Sequence, residues 1–335
     1  MAEKQSSPTS TGHSKLMEQK EVSMVAPKAR RLQLKDTLPR RCRVIHQIAG
    51  ELLIIDKPPD MKIGRGGDVD IILKKQESDE LTVDKLVCQE ISGQKVDKIR
   101  WINRLDMATS GVLCIGLSKV SSRIIMSLFA NRKVTKHYIA LIKNHLKRDA
   151  KLDRIVEQSL VPKFTEDGGA KRKRNGETKD HILNRTFWTH DTTMSKEILY
   201  IDKNIAKDAT DDFKMITVEK LNAGDKVGRR SRTKVVILKH LEFEGIKCTK
   251  VLLIPVTGRR HQLRLHLKSI GHPILGDYTY DRDFSIKHDI PRMFLHARSI
   301  RIPIKEYKDI RHKRCQGLKV ALVDEIFCKT EDEPF

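Results

Sequence analysis

The chain has 335 residues, of which 39% are hydrophobic and 33% are charged, and its 66 Lys and Arg outnumber its 44 Asp and Glu to give a formal net charge of +22. This length suits one large domain or two small ones, and no apolar run approaches the roughly 18–20 residues of a membrane span, so we expect no membrane partner. The excess of positive charge favours a polyanionic partner, most often a nucleic acid.

Residues 1–40 are rich in Ser, Lys and Arg and show no hydrophobic periodicity, which predicts a disordered basic arm. The six cysteines include no C-x-x-C spacing, and this argues against a disulfide framework and for a reducing compartment. The thirteen histidines show no metal-ligand spacing, so we expect no bound metal.

Regular structure is predicted from about residue 44 onward. An apolar run at 51–56 that ends at Lys-Pro-Pro predicts a buried strand, and a longer run at 111–117 predicts a strand buried on both faces. Apolar residues then recur at helical spacing over 120–129, where Asn131 is suited to end the helix. Residues 135–142 alternate in polarity and predict another strand.

The second half of the chain begins with a polar segment at 146–230, which predicts a partly flexible insertion within one domain. Beyond it the pattern predicts, in order, a strand at 235–238, a hairpin through Glu244-Gly245 to 250–255, a helix ending at Gly271, a strand at 294–303 and a charged tail at 306–335. Many strands with few helices and no regular βαβ alternation indicate an α+β domain at 41–305.

The sequence contains no P-loop, dinucleotide-binding or G-x-S-x-G motif, so we expect no nucleotide cofactor. Two polar segments remain as candidates for a catalytic site. The loop Asn103–Gly111 opens onto a buried strand and contains Asp106. Farther along, a predicted helix aligns Arg260, Arg264 and Lys268 in one row. From the residues alone, this row is either a solvated basic face or a positive wall over an acid.

Five stretches, in order, resemble motifs of the RluA family of RNA pseudouridine synthases. They are Ile54–Pro59, Arg104–Gly111 (R-L-D-x-x-T-S-G), Val134–Leu141, Thr257–His266 together with Gly271–Asp277, and Leu295–Ala297. The resemblance implies the pseudouridine-synthase fold, which is a mixed, mostly antiparallel sheet with a central catalytic cleft, flanked by helices and loops. It also implies isomerisation of uridine to pseudouridine in RNA without a cofactor or metal.

The resemblance implies roles for individual residues. Asp106 matches the catalytic aspartate, Tyr138 the active-site tyrosine and Arg264 the arginine that pairs with the aspartate, while Arg104 would help to flip the base. Many family members have His where this chain has Asn103, which changes a contact in the loop and leaves the acid in place. Further RNA contacts are expected from basic residues in or near the motifs and in the insertion, namely Lys57, Lys136, Arg259, Arg260, His261, Lys171, Arg172, Lys173 and Arg174.

Two other functions stay open: an RNA-binding protein on the same fold that has lost catalysis, and an unrelated basic chromatin or ribosomal adaptor. The presence of Asp106, Tyr138 and Arg264 favours the enzyme. We expect an intracellular monomer acting on RNA in the nucleus or cytoplasm rather than in mitochondria. The sequence does not choose the RNA, the uridine, or whether Asp106 acts as a nucleophile or a base.

Overall fold

A computed structural model of the chain describes residues 41–74, 81–91, 96–148, 185–191, 196–218, 228–305, 325–331 and 335. Three sequence predictions therefore lie outside the described residues: the basic arm at 1–40, the Lys171–Arg174 run, and the tail at 306–324.

The described residues up to 148 form six strands and three helices. The strands are β1 (Arg43–Ile48), β2 (Leu52–Lys57), β3 (Gly67–Asp68), β4 (Lys98–Trp101), β5 (Ser110–Gly116) and β6 (Thr135–Lys143). The helices are α1 (Val69–Lys74), α2 (Val83–Glu90) and α3 (Lys119–Ala130). The hydroxyl of Ser118 accepts a hydrogen bond from the backbone nitrogen of Ser121 and so caps the start of α3, and Asn131 is the C-cap residue, as predicted.

The described residues beyond 184 are mostly strands. They are β7 (Arg185–Asp191), β8 (Lys196–Lys207), β9 (Met215–Val218), β10 (Arg229–Phe243), β11 (Ile246–Pro255), β12 (Leu295–Ile302) and β13 (Ile326–Lys329). The helices are α4 (Gln262–Ser269) and α5 (Arg282–Lys287). No helix in the described ranges is both long and apolar enough to cross a membrane.

One sheet organises the domain, with the strand order β1-β2-β5-β12-β6-β11-β10-β8-β7. Neighbours in this order are antiparallel except β5 and β12, which pair in parallel through His296 with Ser110 and through Ala297 with Gly111. β4 adds to β5, β9 to β8 and β13 to β12. The predicted α+β class, with a mixed and mostly antiparallel sheet, is confirmed.

The continuous apolar runs of β2 and β5 are explained by burial on both faces. On one face Leu52 and Ile54 pack in a cluster with Ile124 of α3, and on the other Leu53 packs in a cluster with Val87 of α2. A strand covered on both faces has no solvent side and therefore loses the polar alternation of a half-exposed strand.

The other end of the sheet has its own apolar core. Leu263 and Leu267 of α4 pack with Trp188 of β7 and Leu199 of β8 in a third cluster. Three strands, β7 to β9, therefore lie inside the polar segment at 146–230, and β10 begins at Arg229 instead of 235. These strands extend the main sheet, which corrects the prediction that regular strands resume only at 235.

The segment predicted as a charged tail contains a strand as well. β13 pairs antiparallel with the end of β12, and its alternate residues Ile326 and Cys328 are buried in the cluster with α3. The tail prediction is wrong for these residues. They alternate between apolar and polar side chains, and pairing with β12 lets the apolar ones be buried.

Candidate active site

The loop that carries Asp106 connects β4 to β5 and is fixed from both ends. The side-chain oxygen of Asn103 accepts a hydrogen bond from the backbone nitrogen of Cys114 at 2.8 Å. Gly111 has φ +109°, and a Cβ there would lie 2.2 Å from the carbonyl oxygen of Ala297. Glycine therefore allows β5 to leave the loop in direct contact with β12.

Lys57 holds the same loop in place through hydrogen bonds to backbone carbonyls. Its side chain is fully buried, and its ammonium donates to the carbonyl oxygens of Pro58, Met61 and Met107 at 2.7, 2.9 and 2.9 Å. Burial lowers the pKa of Lys57 to about 7. The predicted RNA contact of Lys57 is wrong, because the ammonium is enclosed by these carbonyls and holds the residue next to Asp106 in place.

The carboxylate of Asp106 is bound by Arg264, which reaches it from α4. Nη1 of Arg264 donates to Oδ2 of Asp106 at 3.0 Å, while Nε and Nη2 donate to the two carboxylate oxygens of Asp277 at 2.8 and 2.7 Å. Arg264 is 6% exposed and Asp277 1%, whereas the side chain of Asp106 keeps 27% exposure. One guanidinium thus joins a buried structural carboxylate to a partly open one.

The charge on Arg264 is secured by its two partners. Burial by itself would lower the pKa of Arg264, but the bidentate pair with Asp277 and the contact with Asp106 together raise it above its ordinary value. Arg264 is therefore always cationic, and it presents a fixed positive charge to the carboxylate of Asp106.

Tyr138 lies on β6 at the junction of the two halves of the sheet. It pairs with Leu253 of β11 on one side and with Ala297 of β12 on the other. Its ring packs against both the cluster with α2 and the cluster with α4. Burial first, and then the charge of Asp106, raises the pKa of Tyr138, so the phenol stays neutral.

His261 approaches Asp106 from the residue before α4. Its backbone is left-handed, with φ +56°, and its Nε2 lies 3.8 Å from Oδ1 of Asp106. Its Nδ1 lies 2.7 Å from the hydroxyl of Tyr280. Burial lowers the pKa of His261 to about 4, so the imidazole is neutral near pH 7.

The part of the chain that carries this site matches a known protein family. The family model for RNA pseudouridylate synthase matches residues 51–269, a range that includes Asp106, Tyr138 and Arg264. The chain belongs to the RNA pseudouridylate synthase family.

Several relatives carry the family name. The human RNA pseudouridylate synthase domain-containing protein 1 is 31% identical over 205 residues, which are 61% of this chain and 50% of that protein, and the zebrafish (Danio rerio) protein of the same name is 30% identical over 207 residues, 61% of this chain and 53% of its own length. The dual-specificity RNA pseudouridine synthase RluA of Haemophilus influenzae is 30% identical over 200 residues, covering 60% of this chain and 65% of that protein. The chain spans about half the length of the vertebrate relatives it matches. The predicted resemblance to the RluA family is confirmed.

Solved structures support the same fold. The human RNA pseudouridylate synthase domain containing 1 superposes with a TM-score of 0.53 and 26% identity over 79% of each chain. The human domain containing 4 gives a TM-score of 0.50 at 18% identity over 91% of this chain and 93% of that chain, which supports the fold alone.

The family motif around α4 is held together by Gln262. Its side-chain oxygen accepts from the hydroxyl of Thr257 at 2.7 Å and from the backbone nitrogen of Arg259 at 3.0 Å. Its side-chain nitrogen donates to the carbonyl of Arg232 and the hydroxyl of Thr233 at 2.9 and 3.0 Å. Gln262 thereby fixes the turn that presents Arg259.

Among the predicted RNA-binding residues, Arg259 has a side-chain nitrogen that lacks a hydrogen-bond acceptor within the described ranges. It is partly buried, and its Nε has no hydrogen-bond partner among the described residues. Burial, and then repulsion from Arg229 and Arg132, lowers its pKa. Such a side chain is suited to an anion that the protein itself does not supply.

The other predicted RNA contacts differ in their surroundings. Arg104 is exposed, while burial lowers the pKa of the partly exposed Lys136 to about 8. The predicted row of cations on one helix face is not formed. Arg260 precedes α4 and is exposed, Arg264 is buried, and Lys268 is exposed.

Asp277 and Tyr280 belong to the site although the sequence patterns do not single them out. Asp277 follows Gly276 in the G-H-P-I-x-G-D match, and this motif was the available signal for its role. Tyr280 has no such signal, because its contact with His261 exists only once the chain is folded.

Proposed function

We propose that this chain is an RNA pseudouridine synthase that isomerises specific uridines in RNA. The observation that carries the proposal is the partly open carboxylate of Asp106 bound by the buried Arg264, which Asp277 holds in turn. These residues stand at the family's motif positions in a chain that belongs to the family.

The reaction rearranges one glycosidic bond. The C1′–N1 bond breaks, the uracil turns, and a C1′–C5 bond forms, while C5 loses a proton and N1 gains one. Positive charge develops at the sugar as the first bond breaks, as in glycoside hydrolysis, and an adjacent carboxylate stabilises it. Either role open to Asp106, nucleophile or base, is performed by its carboxylate oxygens, one of which accepts a hydrogen bond from Arg264 at 3.0 Å.

Tyr138 supplies the other side of the proposed site. Its ring is fixed on β6 between two apolar clusters, so it can hold a flat base without losing much freedom on binding. Because its phenol stays neutral, it can also donate a hydrogen bond.

The target uridine must leave the RNA stack before it can react, which costs a few kcal/mol. We assign part of the compensation to phosphate contacts from the exposed Arg104 and from Arg259. Such contacts are largely independent of sequence, so they add affinity without choosing the uridine.

Pseudouridine mapping across the transcriptome tests the proposed function. Cells that lack the protein should lose pseudouridine at a defined set of positions, and the wild-type chain should restore it there. The rival, an RNA-binding protein without catalysis, predicts that the purified chain binds RNA containing those positions and releases no tritium from C5-labelled uridine.

Replacing Arg259 by Ala should raise KM for RNA about tenfold and leave kcat within about twofold, because a uniform binding contact is removed. Folding should be retained, since burial and neighbouring arginines already disfavour this charge. Steady-state kinetics with labelled RNA measures both constants, and Arg123→Ala on the exposed side of α3 is the matched control. A fall in kcat with unchanged KM would contradict the assignment.

We also propose that the chain acts as a monomer in the nucleus or cytoplasm.

The Lys171–Arg174 run, outside the described residues, has two candidate roles: it binds RNA phosphates, or it is a nuclear localisation signal. Changing all four residues to Ala should lower the log–log salt slope of RNA binding by roughly 1–3, at about 0.7 for each contact to a single strand. An unchanged slope together with loss from the nucleus would instead assign the run to transport.

A further inference from the structure

The residue before α4 has a backbone conformation that capping of the helix does not explain. His261 has φ +56°, in the left-handed region that favours Gly and Asn, and its side chain makes no capping hydrogen bond to the described residues of α4. Such a conformation costs energy and persists where the surrounding structure requires it. The imidazole lies between two groups of the candidate site, with Nδ1 2.7 Å from the hydroxyl of Tyr280 and Nε2 3.8 Å from Oδ1 of Asp106.

Tyr280 is held by strands of the polar segment at 146–230. Its hydroxyl accepts a hydrogen bond from the backbone nitrogen of Met215 in β9 at 3.0 Å and lies 3.2 Å from the carbonyl oxygen of the same residue. Its ring is 8% exposed and packs in a cluster with Ile205 of β8 and Leu265 of α4. β8 and β9 therefore fix the hydroxyl of Tyr280 at one position beside His261.

The positions of these groups select one tautomer of His261. Because burial lowers the pKa of His261 to about 4, the ring is neutral near pH 7, so one nitrogen carries a proton and the other accepts a hydrogen bond. The single proton of the Tyr280 hydroxyl has two acceptors in reach, and Nδ1 of His261 at 2.7 Å is closer than the carbonyl of Met215 at 3.2 Å. The ring proton then lies on Nε2 and faces Asp106, whereas the other tautomer would turn a lone pair toward that carboxylate.

The ring of Tyr280 also contacts the other partner of Asp106. The guanidinium carbon of Arg264 lies 4.9 Å from the ring centroid, which is within the range of a cation–π contact. Arg264 donates to Oδ2 of Asp106 at 3.0 Å, and His261 faces Oδ1. One tyrosine therefore contacts both side chains that face the oxygens of the candidate catalytic carboxylate.

We propose that Tyr280 is a positioning residue whose hydroxyl holds His261 with its Nε2–H toward Asp106. The proposal rests on the proposed function and adds to it a role for β8 and β9, which support Tyr280. With a donor facing each oxygen, the carboxylate is kept from rotating and is already oriented when the uridine arrives. In this role Tyr280 acts on the reaction step and leaves RNA binding unchanged.

Steady-state kinetics on an RNA substrate found by the mapping experiment tests this role. Tyr280→Phe should lower kcat about tenfold with KM within about twofold, because the ring and its contact with Arg264 remain while the hydroxyl is lost. Tyr278→Phe is the matched control, since it removes a hydroxyl that donates to the carbonyl of Ile290 at 2.8 Å. Both variants should melt at a lower temperature, but only Tyr280→Phe should lose kcat. Wild-type kcat in a folded Tyr280→Phe sample, or an equal loss in Tyr278→Phe, would overturn the proposal.

A double-mutant cycle tests whether Tyr280 acts through His261. His261→Asn removes the imidazole while suiting the left-handed backbone, and it should also lower kcat about tenfold. If the two side chains act as one unit, the double variant should lose no more than about twofold beyond either single variant. Losses that multiply to about 100-fold would show that Tyr280 acts independently of His261 and would refute the proposed role.

The tautomer itself can be measured without RNA, which separates this proposal from the proposed function. ¹⁵N NMR of the chain labelled at histidine distinguishes a proton on Nε2 from one on Nδ1, and the signals absent from His261→Asn identify His261. Wild type and Tyr278→Phe should carry the proton on Nε2, and Tyr280→Phe should show a mixture of the two forms. If this pattern holds while no RNA is converted, the positioning contact stands and the proposed catalysis fails. A proton on Nδ1 in the wild type would overturn the proposal even in an active enzyme.

Discussion

Replacing Asp106 by Asn should reduce pseudouridine formation by about 100- to 10,000-fold, the range typical for loss of a side chain that acts on the reacting bond. The amide keeps the shape of the side chain but lacks the negative charge that stabilises the sugar, and its oxygen is far too weak a nucleophile and base to attack the sugar or accept a proton. Tritium release from C5-labelled uridine in RNA measures the loss.

The fold should survive this change because Arg264 still has a second carboxylate partner. Arg264 keeps its bidentate pair with Asp277, which is 1% exposed, so no buried charge is left alone. The amide at position 106 can still accept a hydrogen bond from Nη1. We therefore expect RNA affinity to change by less than about tenfold, since the phosphate contacts are untouched.

The matched control is Asp283→Asn, which removes a carboxylate from the exposed first turn of α5. It should leave turnover and thermal stability near the wild-type values. Turnover of Asp106→Asn within a few-fold of wild type, in a sample whose melting temperature shows it is folded, would falsify the assignment of Asp106 and the mechanism with it.

The sequence predicts the elements whose periodicity is set by burial. β2, β5 and α3 lie where their apolar patterns indicate, because each packs a whole face into a cluster of its own neighbours. The turn at Glu244-Gly245 also lies as predicted, with both residues at positive φ.

The strands β7, β9 and β13 were not predicted because their apolar residues are few and stand among charges. The longer β8 (Lys196–Lys207) does contain an apolar run, but the polar composition of the whole 146–230 segment obscured it. In β7, Trp188 is 5% exposed because it packs against residues of β8, β10 and α4. In the sequence alone it looks like an aromatic residue in a polar loop. A strand at the edge of a sheet needs one apolar face, and in a strand of four to seven residues this leaves two or three residues as the whole signal.

The candidate site divides in the same way. The resemblance indicated the pairing of Asp106 with Arg264, which the structure contains. It could not show that Lys57 is enclosed, because a lysine beside a polar loop has the same sequence signature whether it faces solvent or carbonyl groups. Contacts such as His261 with Tyr280 depend on how α4 and the following loop pack, and only the fold supplies that.

Arg264→Lys should lower kcat at least about 100-fold while RNA affinity stays within about tenfold. The ammonium keeps one positive charge, but it cannot span Asp106 and both oxygens of Asp277 as the planar guanidinium does. Because Asp277 is buried, the ammonium should remain with it, and Asp106 then loses the partner that holds its carboxylate in place.

Stability should fall by about 1–3 kcal/mol in the same variant, since at least one charge-assisted hydrogen bond inside the protein is lost. Steady-state kinetics and thermal unfolding of one preparation give both numbers, and Arg123→Lys on the exposed face of α3 should change neither. The comparison with Arg259→Ala decides the separate roles of the two arginines. If both variants lose kcat equally and keep KM, the two arginines do not have the separate roles proposed for them. If Arg264→Lys loses stability but keeps kcat, the guanidinium serves only to hold α4 to the loop at Asp277.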